Sequence, residues 1–304
     1  MLNLVCLGNV TIDDVVLYDG SLSMGSFGGD AVYAALSASL WSPDVQFVAP
    51  IGNDYPQENL QALEKRGWGK ECLPIRDVPT HRNWVIYEQD GRRTWVLRSS
   101  PGDFFILSPL VQDIPPAFLN TRAFLVLAMD LAAQENLVNG LHGGKSLVAL
   151  DPQEDNIIGN EQRVLEMLRK VDIFLPSEIE VERLLGHKDY QRAARQFCEY
   201  GCKVIAIKLG EQGSLIYDKA SDIFYPVPIY PTKTVDTTGA GDSFSGGFMS
   251  QYAMNQNVLL SALAGTVSSS FCVEGFGLSH LFDVSPDMAS ERLKLLSARL
   301  DLSE

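Results

Sequence analysis

The chain has 304 residues, of which 46% are hydrophobic and 20% are charged, and its formal net charge is −14. This composition is ordinary for a globular protein with a sizeable core, and the length suits one large α/β domain or two modest domains. The acidic balance argues against a nucleic-acid partner, because contacts to a phosphate backbone need an excess of Lys and Arg. It does not exclude a small phosphate ligand, which backbone N–H groups can hold inside an acidic protein.

The N-terminal residues begin a strand-like run and lack the basic head and the long apolar stretch of a signal peptide. No apolar run in the sequence is long enough to span a membrane. The five cysteines are scattered and have no His or further Cys at zinc-site spacing, so we expect buried, reduced thiols. We therefore expect a cytoplasmic protein without a membrane partner.

Predicted strands and helices alternate along the chain, which favours a mostly parallel sheet covered by helices on both faces. Short apolar runs predict buried strands at 2–7 (continuing into 9–17), 45–51, 124–128, 146–150, 173–175 and 204–208. Helices are predicted at 31–41, 56–66, 161–170, 178–185, 190–200, 245–253, 258–272 and 286–298. No repeat or Pro/Gly/Ser-rich linker divides the chain.

Two segments interrupt this alternation. Residues 83–98 contain two apolar runs and read as a β-hairpin around a turn that contains Asp90-Gly91. Residues 13–22, with Asp19-Gly20 in their middle, read as another pair of short strands. The sequence thus predicts a few strands that do not belong to the main alternation.

The most informative segment runs from Asp236 to Phe244, with the sequence Asp-Thr-Thr-Gly-Ala-Gly-Asp-Ser-Phe. It lies between an extended, β-rich stretch (229–235) and the predicted helix at 245–253. Such a glycine turn points several N–H groups at one spot, and the helix dipole favours an anion there. A carboxylate beside an anion site, here Asp242, is costly unless it does chemistry, and the obvious chemistry is removal of a proton from an attacking hydroxyl. The alternative is a plain glycine turn capped by Asp and Thr.

This nine-residue run resembles the signature of the ribokinase-like (PfkB) family of carbohydrate kinases, and the similarity extends from Gly8 to Gly277. The resemblance implies an α/β fold, a ribokinase-like three-layer sandwich with a mostly parallel central sheet and a small β lid. It implies a single domain over residues 1–304, with lid strands inserted at about 13–27 and 83–98. A lid suits a kinase, because it keeps water away from the phosphoryl group.

The resemblance also implies the roles of the residues that handle the acceptor. Asp242 would be the catalytic base, beside an anion hole formed with Gly239, Ala240 and Gly241. The residues implied for substrate binding are Asp13, Gly28, Gly29, Asp30 and Asp130. The paired glycines would let a ligand ring lie close to the backbone. Asp13 could instead cap a turn, and Asp30 could be only an N-cap or a first-turn acid of the next helix.

Tyr33 stands where the family usually has Asn, which leaves the identity of the sugar open. Trp84 and Trp95 could stack on a sugar or a nucleobase, or could pack the lid on the core.

The same resemblance implies the nucleotide site. Its predicted residues are Lys208, Gly210, Gly213, Thr238, Gly239, Gly241, Thr266 and Gly277. The loop with Gly210 and Gly213 could equally be a simple hairpin turn. Magnesium is expected, because the phosphates of ATP need a cation. Glu180 is assigned an indirect role at the metal, although Ser177 replaces the family's Asn.

The resulting prediction is an ATP-dependent kinase that transfers the γ-phosphoryl group to a hydroxyl of a small neutral carbohydrate. A nucleoside kinase of the same superfamily is the nearest alternative, and aromatic residues such as Tyr33 keep it open. An alternative of another class is a non-catalytic, sugar-sensing protein. The exposed edges of the lid hairpin favour a homodimer through the lid.

Overall fold

The computed structural model of the chain describes residues 1–89, 93–100 and 102–300. Over these residues the strands are β1 (Leu2–Leu7), β2 (Thr11–Val16), β3 (Leu22–Gly28), β4 (Val45–Val48), β5 (Ile51–Gly52), β6 (Ile75–Arg76), β7 (His81–Tyr87), β8 (Arg93–Leu97), β9 (Thr121–Val126), β10 (Leu147–Leu150), β11 (Ile173–Phe174), β12 (Val204–Lys208), β13 (Ser214–Asp218) and β14 (Ile223–Val227). The α-helices are α1 (Asp30–Ser39), α2 (Gln57–Lys65), α3 (Asp103–Ile106), α4 (Leu131–Leu141), α5 (Glu154–Ile157), α6 (Glu161–Met167), α7 (Glu178–Leu185), α8 (Tyr190–Tyr200), α9 (Ala240–Asn255), α10 (Val258–Cys272) and α11 (Pro286–Arg299).

The central sheet has eight strands in the order β14-β13-β12-β11-β10-β9-β1-β4. The six strands from β4 to β12 run parallel, and the last two pair antiparallel at one edge. Helices α1, α9 and α10 pack on one another and on the sheet, while α4, α7 and α8 pack on β9 and β12. The parallel strands are therefore buried on both faces, which is why they appear in the sequence as unbroken apolar runs.

A second sheet of four strands, in the order β3-β2-β7-β8, stands apart from the first and is called the lid below. Its strands lie within two residues of the predicted segments at 13–27 and 83–98. The pairing of β7 with β8 is antiparallel, as predicted, whereas the predicted Asp90-Gly91 turn lies outside the described residues. Val15, Val85 and Tyr87 form a small apolar cluster on one face of the lid, against which Phe276 packs. We call this the inner face.

Two sequence predictions about strands are wrong. The predicted strand at 2–7 does not continue into 9–17, because the chain leaves the central sheet after β1 and enters the lid as β2. The stretch at 229–235 is not a strand. Pro231 cannot donate a backbone hydrogen bond to a neighbouring strand, and the N–H of Val235 donates instead to the carbonyl of Val273 (2.7 Å) at the end of α10.

All five cysteines are buried and free, as predicted. Among the described residues, no helix is long and apolar enough to cross a membrane.

Candidate active site

The glycine turn at the start of α9 is held between the lid and α1. Gly239 adopts the left-handed conformation (φ 78°) just before the first residue of α9. A Cβ on this residue would lie 2.5 Å from the ring of Tyr33, so both the backbone and the space require glycine. Tyr33, which stands where the family usually has Asn, therefore packs directly behind the turn. The N–H of Ala240 donates to the carbonyl of Thr237 (3.2 Å) and is used inside the turn.

Asp236 holds the turn in place through hydrogen bonds to Thr238. Its buried carboxylate accepts hydrogen bonds from the N–H of Thr238 (2.9 Å) and from the hydroxyl of the same residue (2.8 Å), both at Oδ1. The first aspartate of the signature is therefore a structural brace of the turn. The second one, Asp242, lies half-buried in the first turn of α9.

The N–H groups of Gly241 and Asp242 lie in the first turn of α9, at the positive end of the helix dipole. A second carboxylate, Asp30, lies close by at the start of α1. Burial raises the pKa of Asp30 well above its usual value, and the negative charge of Asp242 raises it further. Asp30 is the acidic residue in the first turn of α1, where Gly29 is the N-cap, and its Oδ1 accepts a hydrogen bond from the N–H of Asn9 (2.8 Å).

Asp13 lies on β2, a strand of the lid, and is buried. Its Oδ1 accepts a hydrogen bond from Nδ2 of Asn83 (3.0 Å), and its Oδ2 accepts one from the hydroxyl of Thr11 (2.9 Å). Burial raises the pKa of Asp13 to about 6, although both hydrogen bonds oppose the shift. Asp13 is thus a desolvated strand residue rather than a turn cap, and it remains the candidate for holding substrate hydroxyls.

Gly28 and Gly29 are needed for reasons that the sequence does not reveal. A Cβ on Gly28 would lie 2.1 Å from Oδ2 of Asp13. Gly29 has a φ of 116°, and a Cβ there would lie 2.5 Å from the carbonyl oxygen of Asn9. The two glycines therefore make room first for the Asp13 carboxylate and for a close crossing of two backbone segments. Their predicted contact with a ligand ring remains a prediction.

Asp130 caps a helix. Its Oδ1 accepts hydrogen bonds from the N–H groups of Ala132 (2.8 Å) and Ala133 (3.4 Å) at the start of α4. Its own N–H donates to the hydroxyl of Ser108 (3.3 Å), which donates its proton to the carbonyl of Phe104 (2.7 Å) and lies 3.4 Å from Oδ1 of Asn9. Asp130 thus sits near the end of β1, and a contact with substrate remains a prediction.

A buried ion pair lies beside the predicted anion site. It joins Lys208, a predicted nucleotide residue, to Asp151, which the sequence did not single out. Nζ of Lys208 lies 2.7 and 2.6 Å from the two carboxylate oxygens of Asp151, and the hydroxyl of Ser245 donates to Oδ2 of that carboxylate (2.6 Å). A Cβ on Gly241 would lie 3.5 Å from Nζ, so this cation lies directly beside the first turn of α9. Burial lowers the pKa of Lys208, but the charges of Asp151 and Glu180 outweigh it and the net pKa is raised.

Asp151 could have been found from the sequence. It directly follows the buried strand predicted at 146–150, and the carboxyl ends of parallel strands meet at one edge of the sheet. The observed strand β10 ends one residue before it.

The other predicted nucleotide residues lie between β12 and β13, in α10 and in the turn after α10. Gly210 (φ 56°) and Gly213 (φ 87°) form the connection between the antiparallel strands β12 and β13, so they are a hairpin turn, the alternative left open by the sequence. Thr266 is buried inside α10. Gly277 (φ 59°) lies against the carbonyl of Phe27 at the end of β3, which joins the glycine turn after α10 to the lid. Direct contacts of these residues with nucleotide remain predictions.

Glu180 forms a capping box with Ser177 at the start of α7. Its Oε2 accepts a hydrogen bond from the N–H of Ser177 (2.5 Å), whose hydroxyl accepts one from the N–H of Glu180 (3.3 Å). Burial raises the pKa of Glu180 to about 7, against the opposing charge of Lys208. In the part of the chain that the structure describes, no group of three or more His, Cys, Asp and Glu could hold a metal ion. The described residues fit a cation carried mainly by phosphates and water, and an indirect role of Glu180 stays a prediction.

The two lid tryptophans lie on opposite faces. Trp84 donates its indole N–H to Oδ2 of Asp14 (3.0 Å) and lies beneath the guanidinium of Arg98 (5.6 Å), which also pairs with Asp14 (2.5 Å). Trp84 therefore packs the lid. Trp95 pairs with Val85, a residue of the inner face, and its side chain is 41% exposed. Of the two, only Trp95 shares the face on which Asp13 lies.

A helix N-terminus with an adjacent carboxylate and a buried lysine has the groups that a phosphotransferase acting on an alcohol requires. The model of the pfkB family carbohydrate kinases matches residues 1–283. The chain belongs to this family, and it is accordingly a phosphotransferase with a hydroxyl acceptor.

Individual relatives agree with this assignment. The chain is 32% identical over 257 residues to a cytidine kinase of Thermococcus kodakarensis, a match that covers 83% of this chain and 89% of the relative. The fold is similar to that of the Methanocaldococcus jannaschii nucleoside kinase, with a TM-score of 0.79, 21% identity, and 97% and 99% of the two chains covered. It is also similar to a candidate ribokinase II of E. coli solved with ATP and Mg²⁺, with a TM-score of 0.78, 18% identity, and 97% and 100% covered. The predicted ribokinase-like three-layer fold is thus confirmed.

Proposed function

We propose that this protein is an ATP-dependent kinase that phosphorylates a ribose hydroxyl of a nucleoside. The observation that carries the choice of acceptor is the inner face of the lid. Asp13, Asn83 and Leu97 lie side by side on β2, β7 and β8, with Trp95 two residues further along β8. Asp13 and Leu97 are therefore two strand spacings apart, about 10 Å, which is roughly the length of a nucleoside. A ribose held by Asp13 would therefore bring its base to exposed apolar side chains.

The 32% identity to a cytidine kinase supports the same acceptor class. A free neutral sugar is the second candidate. It is favoured by the family model, which is that of carbohydrate kinases.

In the proposed mechanism, Asp242 accepts the proton of the acceptor hydroxyl while its oxygen attacks the γ-phosphorus of ATP. A bond forms between this oxygen and phosphorus, and the bond to the bridging oxygen of ADP breaks. The N–H groups of Gly241 and Asp242, together with the Lys208 ammonium, stabilise the negative charge on the transferring group. Magnesium, carried by the ATP phosphates, would supply further charge neutralisation. Asp13 holds neighbouring hydroxyls and orients the attacking one.

We also propose that two copies of the chain associate through the lid. The strand β8 is an edge of the four-stranded sheet, and Trp84 and Val96 on the outer face are 42% and 41% exposed. A second copy would cover both features. Val96→Glu should convert a dimer to a monomer in light scattering coupled to size exclusion, and a wild-type protein that is already monomeric contradicts the proposal.

A substrate screen separates the candidate functions. ADP release should be measured for cytidine, uridine, adenosine, inosine and guanosine, and for free ribose, deoxyribose and hexoses. Asp242→Asn and the exposed Asp283→Asn serve as the inactive and the neutral control. A nucleoside with a kcat/KM at least about 100-fold above that of ribose supports the proposal. A higher kcat/KM for a free sugar than for every nucleoside favours a sugar kinase. Tight binding of a ligand without phosphoryl transfer to any acceptor favours a sensor.

A further inference from the structure

Among the described residues, Tyr87 is a lid residue whose side chain contacts the glycine turn. Tyr87 is the last residue of β7, is 8% exposed and lies on the inner face. Its hydroxyl lies 2.8 Å from Oγ1 of Thr238 and accepts a hydrogen bond from Oγ1 of Thr237 (3.3 Å). Both threonines belong to the segment that leads into Gly239. A lid residue thus bonds to the turn that forms the anion site.

The direction of these hydrogen bonds follows from their partners. The Thr238 hydroxyl donates its only proton to Oδ1 of Asp236 (2.8 Å). The Tyr87 hydroxyl must therefore be the donor in its contact with Thr238, while Thr237 donates to it. The result is a directed chain, Tyr87 to Thr238 to Asp236, which ends on a buried carboxylate. Such chains strengthen each bond, because an ionised acceptor polarises the donors before it.

The ring and the hydroxyl of Tyr87 have separable roles. The ring packs with Val15 and Val85, against Phe276, and would do so without the hydroxyl. Replacement by Phe therefore removes the bond to Thr238 and keeps the apolar contacts of the lid. This separation allows the hydroxyl to be tested without unfolding the lid.

We propose that Tyr87 is a positioning residue, whose hydroxyl couples the placement of the lid to the geometry of the Asp236–Gly239 turn. With the hydrogen-bond chain formed, the lid is held over the anion site and the turn keeps its shape. Without the chain, the lid and the turn move independently. Water then reaches the phosphoryl group more often, and the acceptor hydroxyl reaches it less often. The inference rests on the phosphotransferase activity and not on which acceptor is used.

The test compares Tyr87→Phe with Tyr217→Phe, a matched variant on β13 whose hydroxyl donates to Asp222 (2.9 Å). Each protein is assayed with the best acceptor from the screen for kcat, for the KM of ATP, and for the ratio of ADP released to product phosphorylated. ATP hydrolysis without acceptor and the melting temperature are measured alongside. Tyr87→Phe should lower kcat by about tenfold, leave the KM of ATP within about twofold, and raise the ratio of ADP to product clearly above one.

A purely structural role would lower the melting temperature and the active fraction, and would leave the ratio of ADP to product at one. That outcome, or the same kinetic change in Tyr217→Phe, overturns the proposal. The double variant of Tyr87→Phe with Thr238→Val provides a second test. If the hydroxyls act as one chain, its loss of kcat should be no larger than that of Thr238→Val alone, and independent, multiplying losses contradict the coupling. Failure of every nucleoside in the screen would refute the proposed acceptor but leave this test intact with a sugar.

Discussion

Replacing Asp13 by Asn should make the unliganded protein more stable at neutral and alkaline pH. Burial raises the pKa of the folded-state carboxyl from 3.8 to about 6. Between these values the folded state binds a proton that the unfolded state has lost, so wild-type stability falls as pH rises through this window. A pKa shift of roughly 2 units corresponds to a loss of about 3 kcal/mol in the free energy of unfolding, and this loss is complete at pH values above the folded-state pKa. An amide of the same shape carries no charge and escapes this penalty, while it can still bond to Asn83 and Thr11.

The assay is chemical denaturation of wild type and Asp13→Asn at about pH 5 and about pH 8. The two pKa values predict that the stability difference in favour of the variant grows by about 1.4 kcal/mol between these pH values. Comparing the two proteins at each pH removes pH-independent effects and the titration of groups common to both, such as His81 and Glu180. Asp283→Asn, at an exposed position, is the control and should show no such growth. A difference that is flat with pH, or that shrinks, refutes the argument that Asp13 is held against the cost of desolvation.

Three further substitutions test other parts of the site. Lys208→Met should lower kcat by about 100-fold and reduce stability, because it leaves the Asp151 carboxylate buried without its cation; kinetics and denaturation measure the two effects, and an active, stable variant contradicts this role. Gly239→Ala should lose most activity and several degrees of melting temperature, because its φ of 78° and the ring of Tyr33 both oppose a Cβ; unchanged melting would show that the turn adapts. Asp14→Ala should speed hydrogen exchange in the lid strands and leave the central sheet protected, whereas uniform protection would exclude Asp14 as a lid brace.

The sequence predicts the central sheet well for a physical reason. Parallel strands buried on both faces must be apolar throughout, so runs such as 204–208 cannot be mistaken for surface strands. The sequence does not predict the antiparallel strands β13 and β14, because both include partly exposed residues and their apolar pattern is weak. The stretch at 229–235 has strand-like residues but no strand to pair with, which a single sequence cannot reveal.

Some features of the candidate site could likewise be predicted from the sequence, and others could not. Asp242 and Asp13 could be predicted, because each has a motif with a chemical reason. The reasons for Gly28 and Gly29 could not, because they depend on contacts with Asp13 and Asn9, about 15 and about 20 residues earlier in the chain. The placement of Tyr33 behind Gly239 joins residues about 200 positions apart. Contacts of this kind are set by tertiary packing, and local patterns carry no record of them.

The central claim is that Asp242 removes the acceptor proton within an intact anion site. Its most direct test is Asp242→Asn, assayed for single-turnover phosphoryl transfer and, on the same sample, for ATP binding by calorimetry. If Asp242 is the base, transfer should fall by about 10³-fold or more, and the Kd of ATP should change by less than about threefold. Transfer within about tenfold of wild type would contradict the claim, because the protein would then carry out the reaction without this base.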